Sequence, residues 1–216
     1  MNNTELKELV IQYGKKYKSS GLVVGTWGNI SLRNEGRIFI TPTAMDYDSL
    51  TPDDIVVCDI NGNILEGKRK PSTEISAHLA IYNKRQDVNA IIHTHSIYAT
   101  AMAAARKNIP AIVEDIAMII GGEVPCAKYA HSGTPELGEN IIEVMENKNA
   151  VLLANHGAIC MGRNLEEAYL VCQVLEKAAR VYIFASQIGI PKPLAIEDVE
   201  NMHNVYLNKY SRNNND

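Results

Sequence analysis

The sequence is poor in the features that mark unusual classes of protein. Its 216 residues include only 14 glycines and 8 prolines, which excludes collagen-like chains and extensive disorder. No apolar run approaches the roughly 20 residues that a membrane-spanning helix needs. The N-terminus also lacks the basic segment and apolar stretch of a secretory signal. These absences predict a cytoplasmic protein that has no membrane as a partner.

An excess of positive charge is missing as well. Lys and Arg total 21 against 25 Asp and Glu, a formal net charge of −4, so no long-range field attracts DNA, RNA or anionic lipid. We therefore expect no nucleic-acid partner. The cysteines include no C-x-x-C pair, which argues against a zinc ribbon or a redox pair and predicts reduced thiols. They are Cys58, Cys126, Cys160 and Cys172.

What is present is an ordinary globular composition, with 46% hydrophobic and 21% charged residues. The length predicts a single domain spanning residues 1–216. Apolar residues at helical spacing are interspersed with short apolar runs, without internal repeats, which predicts an α/β fold. Helices are expected over 6–17, 72–85, 97–107, 135–146 and 165–188. Short strands are expected within 30–40 and longer ones over 88–95 and 150–154, with a hairpin over 55–65 and a frayed tail over 213–216.

Three histidines follow buried strands. His93 and His95 end the apolar run that begins at Val88, and residues i and i+2 of a strand face the same side. His156 follows a second apolar run and precedes Gly157, which permits a tight turn. Where two strand ends meet, three neutral imidazoles with an open position form a recurrent catalytic zinc site, and imidazole also suits other divalent transition metals. Spacing alone leaves three unrelated structural histidines as an equal alternative.

A carboxylate and two hydroxyls cluster in Pro71-Ser72-Thr73-Glu74, with Ser72 as the expected N-cap of the following helix. A helix N-terminus presents unpaired N–H groups and positive potential, so it can hold a phosphate. Taken alone, these residues are better explained by a routine helix cap with Glu in its favoured first turn. The segments Gly28-Asn29 and Thr41-Pro42-Thr43 add backbone donors and hydroxyls, and alone they indicate only turns.

Together these segments resemble the class II aldolase/adducin family. The order of the motifs is far more specific than any one of them, and the resemblance extends from about Leu6 to Ile188. The motifs are Gly-Thr-Trp-Gly-Asn-Ile-Ser at 25–31, Ile-Thr-Pro-Thr at 40–43, Pro-Ser-Thr-Glu at 71–74, His-Thr-His at 93–95 and Asn-His-Gly at 155–157.

The resemblance implies an α/β/α three-layer sandwich around a mostly antiparallel sheet, assembled as a homotetramer with active sites between subunits. It implies that His93, His95 and His156 bind Zn²⁺, or another divalent transition metal, and that Glu74 contacts the metal and shuttles a proton. The residues that match the family's substrate-phosphate site are Gly28, Asn29, Thr43, Ser72 and Thr73.

The reaction implied by the resemblance is zinc-dependent cleavage of a ketose 1-phosphate, of the fuculose, ribulose or deoxyribulose type. The products are dihydroxyacetone phosphate and a small aldehyde. A methylthioribulose-1-phosphate type dehydratase and an L-ribulose-5-phosphate 4-epimerase are the alternatives, and Glu74 favours a lyase because the epimerases tend to carry Asp there. The complete histidine and glutamate set argues against a non-catalytic, adducin-like binding module.

Two positions depart from the family pattern. Ala44 stands where the aldolases commonly have glycine, which is expected to alter the phosphate grip. The segment after Pro110 lacks the tyrosine that serves the fuculose-phosphate aldolase as a second acid/base from a neighbouring subunit. Counting from Pro110 places Glu114 there, and counting back from Gly121 places Asp115 there. We expect Glu114 to be the second catalytic residue.

Overall fold

Eight strands form one mixed sheet in the order β4-β3-β2-β1-β5-β8-β7-β6, in a computed structural model that describes residues 1–213. Every neighbouring pair is antiparallel except β6 and β7, so the sheet is mostly antiparallel. The strands are β1 Asn29–Asn34, β2 Arg37–Ile40, β3 Val56–Asp59, β4 Ile64–Glu66, β5 Ala90–Thr94, β6 Cys126–Ala127, β7 Ala150–Leu153 and β8 Gly157–Gly162.

The helices agree largely with the periodicity of the sequence. They are α1 Asn3–Ser19, α2 Ile75–Lys84, α3 Ile97–Ala104, α4 Pro135–Met145, α5 Leu165–Ile188 and α6 Ile196–Asn213. The five expected helices, the expected strands and the hairpin are confirmed in type, whereas α6, β6 and β8 were not predicted. The expected fraying of residues 214–216 lies outside the described residues.

The start of α2 corrects the expectation that Ser72 is its N-cap. The helix begins at Ile75 and its N-cap residue is Glu74. The Ser72 amide donates to the Thr41 carbonyl oxygen at 3.1 Å, and Pro71 forms a bridge with Pro42. This pairing holds 71–72 against the segment after β2 and delays the helix by three residues.

Two hydrophobic clusters take alternate residues of the same strands. On β5, Ile92 belongs to the first cluster and Ile91 to the second. Because alternate side chains of a strand point to opposite faces, the clusters lie on the two faces of the sheet. The first includes residues of α1, α3, α5 and α6, and the second includes residues of α2 and α4. The fold is therefore α/β with apolar packing on both faces.

The sequence predicts reduced thiols, and it contains no apolar run long enough to span a membrane. All four cysteines are free, and Cys126 alone among them is not fully buried. Within residues 1–213, none of the helices combines the length and the apolar character that a membrane crossing requires.

Candidate active site

The three histidines meet where β5 ends beside the turn that joins β7 to β8. β5 pairs with β8, with His93 opposite Ile159, so the end of β5 adjoins that turn. His156 lies in the turn, and a side chain at Gly157 would overlap the carbonyl oxygen of Thr94. His95 follows β5 directly. The topology therefore brings together the imidazoles that the sequence placed after two strands.

The triad is compact enough for one metal ion. One ring nitrogen from each histidine lies within 4.8 Å of the others, and the Nε2 atoms of His93 and His95 are 2.8 Å apart. His93 is fully buried, and its Nδ1 lies 3.0 Å from the Ala158 carbonyl oxygen. A proton on Nδ1 satisfies that carbonyl and leaves Nε2 as a ligand atom.

The surroundings keep two of these imidazoles neutral. Burial, followed by the proximity of His93 and His156, lowers the pKa of His95 to about 3. Burial and His93 lower the pKa of His156 as well. Neutral imidazole is the form that binds a metal.

Glu74 lies against two of the three histidines. Its Oε2 is 3.1 Å from the Nε2 of His93, and its Oε1 is 3.3 Å from the Nε2 of His156. The side-chain Nδ2 of Asn29 donates to Oε2 at 2.8 Å, and the Ser132 hydroxyl donates to Oε1 at 2.9 Å. Burial raises the pKa of the Glu74 carboxyl, but the histidines and the two donors outweigh burial, so the pKa is lowered overall.

This donor set fits a divalent transition metal. Three imidazoles and one carboxylate, all within a few ångströms, are the ligands that zinc and its neighbours prefer. The hydrogen bond between Nδ1 of His93 and the Ala158 carbonyl oxygen fixes the tautomer of His93, as is usual for ligating histidines. The residues present therefore fit the group that the resemblance implies.

A cavity of about 490 Å³ opens above the triad. Its wall includes all five residues expected to hold the substrate phosphate, together with Glu74, His95 and His156. The five are Gly28, Asn29, Thr43, Ser72 and Thr73. The structure thus collects the separate sequence motifs in one place.

Backbone hydrogen bonds explain why two segments with residues expected to hold the phosphate, 41–43 and 70–72, lie side by side. The Thr43 amide donates to the Lys70 carbonyl at 3.1 Å, and the Ser72 amide donates to Thr41, so residues 41–43 run beside 70–72. Ala44 lines the cavity with φ +55°, in the left-handed region that favours glycine. The alanine keeps that conformation at a cost of roughly 1 kcal/mol.

The structure adds residues that the sequence did not single out. Ser132 contacts Glu74 from the loop before α4, and Trp27 and Tyr129 also line the cavity. The Trp27 ring lies 5.6 Å from the ring of His95. Ser132 is part of a Ser-Gly-Thr-Pro sequence, which indicates only a turn, so no signal in the sequence marked it.

Glu114 is not brought to the cavity of its own chain. It is exposed and does not line the cavity, and the neighbouring Asp115 is ion-paired with Lys177. A catalytic role for Glu114 consequently requires that it reach the cavity of another copy of the chain.

Comparison with known proteins gives a family match over most of the chain. Residues 8–183 match the family described as Class II Aldolase and Adducin N-terminal domain. This range contains each histidine of the triad and every segment that lines the cavity.

Two curated relatives are similar along nearly their whole length. A 5-deoxy-D-ribulose 1-phosphate aldolase from Bacillus thuringiensis serovar kurstaki is 41% identical over 198 residues, which is 91% of this chain and 92% of the relative. An L-fuculose phosphate aldolase from Escherichia coli K12 is 37% identical over 198 residues, covering 92% of each.

A solved structure shares the fold closely. An L-fuculose 1-phosphate aldolase superposes with a TM-score of 0.92 at 40% sequence identity, over 95% of this chain and 98% of that one.

Proposed function

Because the chain belongs to the class II aldolase and adducin family and is an aldolase, a lyase, we propose that its substrate is a ketose 1-phosphate. The products are dihydroxyacetone phosphate and a small aldehyde. Substrates of the fuculose, ribulose and deoxyribulose 1-phosphate type are the candidates, and the names of the two curated relatives support the first and the third.

The observation that carries the proposal is the position of Glu74. Its carboxylate contacts His93 and His156 and lies in the wall of a cavity that the residues expected to hold the phosphate also line. This proximity supports the proposal, because cleavage of a phosphorylated ketose needs a proton-transfer group, metal ligands and an anion-binding site close together.

The metal of the proposal is Zn²⁺, held by His93, His95 and His156 with Glu74 beside them. When bound, such an ion polarises the substrate carbonyl and stabilises the negative charge that develops as the carbon–carbon bond breaks. The chain needs no lysine that forms a covalent adduct with the ketone.

Glu74 is assigned the proton transfer at the carbon that becomes part of dihydroxyacetone phosphate. A general acid/base must lie within hydrogen-bond reach of the atom it serves and keep its orientation. The bonds from Asn29 and Ser132 fix the orientation of the carboxylate, and the lowered pKa keeps it ionised as a base in the condensation direction.

The phosphate is assigned to the backbone amide of Gly28, to Asn29, and to the hydroxyls of Thr43, Ser72 and Thr73, because the backbone amides of Thr43 and Ser72 already donate to the Lys70 and Thr41 carbonyls. Holding the phosphate aligns the reacting carbon with Glu74 and reduces the entropy cost of reaching the transition state. One N–H group of Asn29 is engaged by Glu74, so its other N–H group and its backbone are what remain for the phosphate.

Glu114 is assigned the second acid/base position, acting from a neighbouring subunit of a homotetramer. Its exposure supports a role outside its own cavity.

The same proposal includes a cytoplasmic location and one domain over residues 1–216. It also includes the three-layer α/β/α arrangement, which the apolar clusters on both faces of the sheet support.

The test is release of dihydroxyacetone phosphate from a panel of ketose 1-phosphates, measured with and without EDTA. The panel contains the fuculose, ribulose, deoxyribulose and methylthioribulose compounds. We expect chelator-sensitive release from at least one of the first three, because the metal ligands and the phosphate grip share one cavity. Consumption of a substrate without dihydroxyacetone phosphate would instead support the dehydratase or the epimerase.

Matched variants sharpen this test. Glu74→Gln removes the proton-transfer group and should lower kcat by roughly 10²- to 10⁴-fold. Glu8→Gln makes the same chemical change at an exposed position of α1 and should leave kcat unaltered. Full turnover by Glu74→Gln would refute the assignment of the proton transfer.

A further inference from the structure

Two buried tyrosine hydroxyls lie directly behind the loop that carries Gly28. Tyr17 and Tyr47 are 0% and 2% exposed, and their hydroxyl oxygens are 3.1 Å apart. The Tyr17 hydroxyl donates to the Trp27 carbonyl at 2.9 Å, and the Tyr47 hydroxyl donates to the Gly28 carbonyl at 2.8 Å. Two successive carbonyls of one cavity loop are therefore held by two side chains from different segments.

The loop has no room to move toward the core. Gly28 has φ +74°, and a Cβ built on it would overlap the Tyr17 hydroxyl and the carbonyl oxygen of His93. Gly28 therefore packs directly against Tyr17 and against the strand that carries the first histidine. Gly28 also lines the cavity, so movement toward the cavity is opposed by the hydrogen bonds of the two tyrosines.

Both tyrosines remain hydrogen-bond donors throughout the neutral pH range. Burial raises the pKa of Tyr47 to about 12 and raises that of Tyr17 well above its ordinary value. Each hydroxyl therefore retains its single hydrogen, and each carbonyl of the loop has one donor.

The planarity of the peptide bond carries this constraint into the cavity. The bond between residues 27 and 28 is trans, so its carbonyl and its N–H point in opposite directions. Fixing the Trp27 carbonyl toward Tyr17 turns the Gly28 N–H away from the core. Gly28 lines the cavity, so its amide faces the place assigned to the substrate phosphate.

We propose that Tyr17 and Tyr47 are positioning residues for phosphate binding: they hold the carbonyls of Trp27 and Gly28 inward and so aim the Gly28 amide at the phosphate. The inference rests on the proposed phosphate site. A buried carbonyl oxygen that loses its hydrogen-bond donor raises the free energy of the folded protein. Without the hydroxyls, rotation of the two peptide units toward water lowers that free energy again, and this rotation moves the Gly28 N–H.

Removal of the hydroxyls with retention of the rings separates this role from simple packing. Tyr17→Phe, Tyr47→Phe and the double variant keep the apolar contacts of the pair. Tyr82→Phe is the matched control, because Tyr82 is fully buried and its hydroxyl lies 2.8 Å from that of Ser31, away from the loop. If the tyrosine hydroxyls only stabilised the fold, the melting temperature would fall in all of these variants. None of them would then show a selective loss of phosphate affinity.

The measurement is calorimetric titration of the full-length protein with inorganic phosphate, followed by steady-state kinetics on the ketose 1-phosphate that the wild type cleaves. In the double variant we expect phosphate affinity to fall about tenfold and KM to rise by a similar factor. We expect kcat and bound metal to match the wild type. Tyr82→Phe should bind phosphate as the wild type does.

Each outcome distinguishes this inference from the proposed function. Phosphate binding by the wild type with the same affinity in the folded double variant overturns the role of the tyrosines and leaves the phosphate site standing. An equal loss of affinity in Tyr82→Phe overturns it as well. A wild type that binds no phosphate removes the phosphate site and this inference together. If the double variant does not fold, the two single variants decide by the same criteria.

Discussion

Glu74 divides its two carboxylate oxygens between donors that come from two different segments of the chain. Asn29, at the start of β1, donates to one oxygen, and Ser132, in the loop before α4, donates to the other. The side chain of Glu74 is therefore held at both oxygens before any substrate enters. This pre-organisation favours proton transfer because the carboxylate does not have to be reoriented in the transition state.

We expect Ser132→Ala to lower kcat by about threefold to tenfold with little change in KM, because one oxygen of Glu74 loses a hydrogen bond worth about 1 kcal/mol. Ser132→Thr keeps the hydroxyl and should recover most of the loss. Steady-state kinetics at equal metal content measures both variants. Wild-type kcat in Ser132→Ala would show that the hydrogen bond has no catalytic consequence.

At the scale of elements, α6 is joined to the start of α5 through one buried carboxylate. Glu167, 6% exposed, accepts bonds from the Arg163 amide at 2.6 Å and the Arg163 guanidinium at 2.7 Å. It also accepts from the Tyr206 hydroxyl of α6 at 3.0 Å. Burial raises the pKa of the Glu167 carboxyl, but the bonds from Arg163 and Tyr206 outweigh burial and lower it overall.

Glu167→Gln should reduce the free energy of unfolding by about 2 kcal/mol at pH 7, since it leaves Arg163 beside a neutral group. A lowered pKa contributes stability above the unfolded-state value, near 4.3, and that contribution is lost as pH falls through the folded-state pKa. The difference in the free energy of unfolding between wild type and variant should therefore become smaller below about pH 4. Urea unfolding at neutral and acid pH measures it, with the exposed Glu166→Gln as control. A gap that does not depend on pH would contradict the electrostatic explanation.

The sequence predicted elements with strong periodicity and missed those whose stability depends on tertiary contacts. α5 was predicted because Asn164 caps it and its apolar face is continuous. α6 was missed because it is polar overall, and its few apolar residues, such as Val199 and Tyr206, form a packing face only against the rest of the first cluster. β8 was missed because Gly157 was interpreted as a turn, whereas pairing with β5 and β7 makes it the first residue of a strand.

The candidate site was predicted as far as residue types and motif order allow. The meeting of His93, His95 and His156 followed from strand ends, which local sequence indicates well. The contact of Ser132 with Glu74 joins residues 58 positions apart, and that of Tyr17 with the Trp27 carbonyl joins a helix to a loop. Single-sequence patterns carry no information about such contacts, because neither residue is of an unusual type for its local element.

At the scale of the whole molecule, the residue proposed as the second acid/base lies outside the cavity of its own chain. Glu114 is exposed and lies outside the cavity lined by Glu74 and His156. In the proposed tetramer, each cavity would take Glu74 from one chain and Glu114 from the next. Such a head-to-tail arrangement makes the activity of a mixed assembly depend on which chains are neighbours.

Subunit mixing tests this arrangement. We expect Glu74→Gln and Glu114→Gln each to be nearly inactive alone. Denaturing the two variants together and refolding them in equal amounts should restore about a quarter of the wild-type sites, because both functional residues then meet at random interfaces. Mixing without dissociation should restore nothing. Activity that stays absent in verified mixed tetramers would exclude catalysis across a subunit boundary.

The hydrogen bond between His93 and the Ala158 carbonyl spans 65 positions of the chain. During synthesis, His93 and His95 leave the ribosome long before β8 exists, and until β8 pairs with β5 they form only a two-histidine fragment of the site. Assembly of the full triad therefore has to wait for long-range strand pairing, which is among the slower events of folding. The complete three-histidine set thus exists only in chains that have finished the centre of their sheet, because His156 reaches the other two histidines through the pairing of β5 with β8.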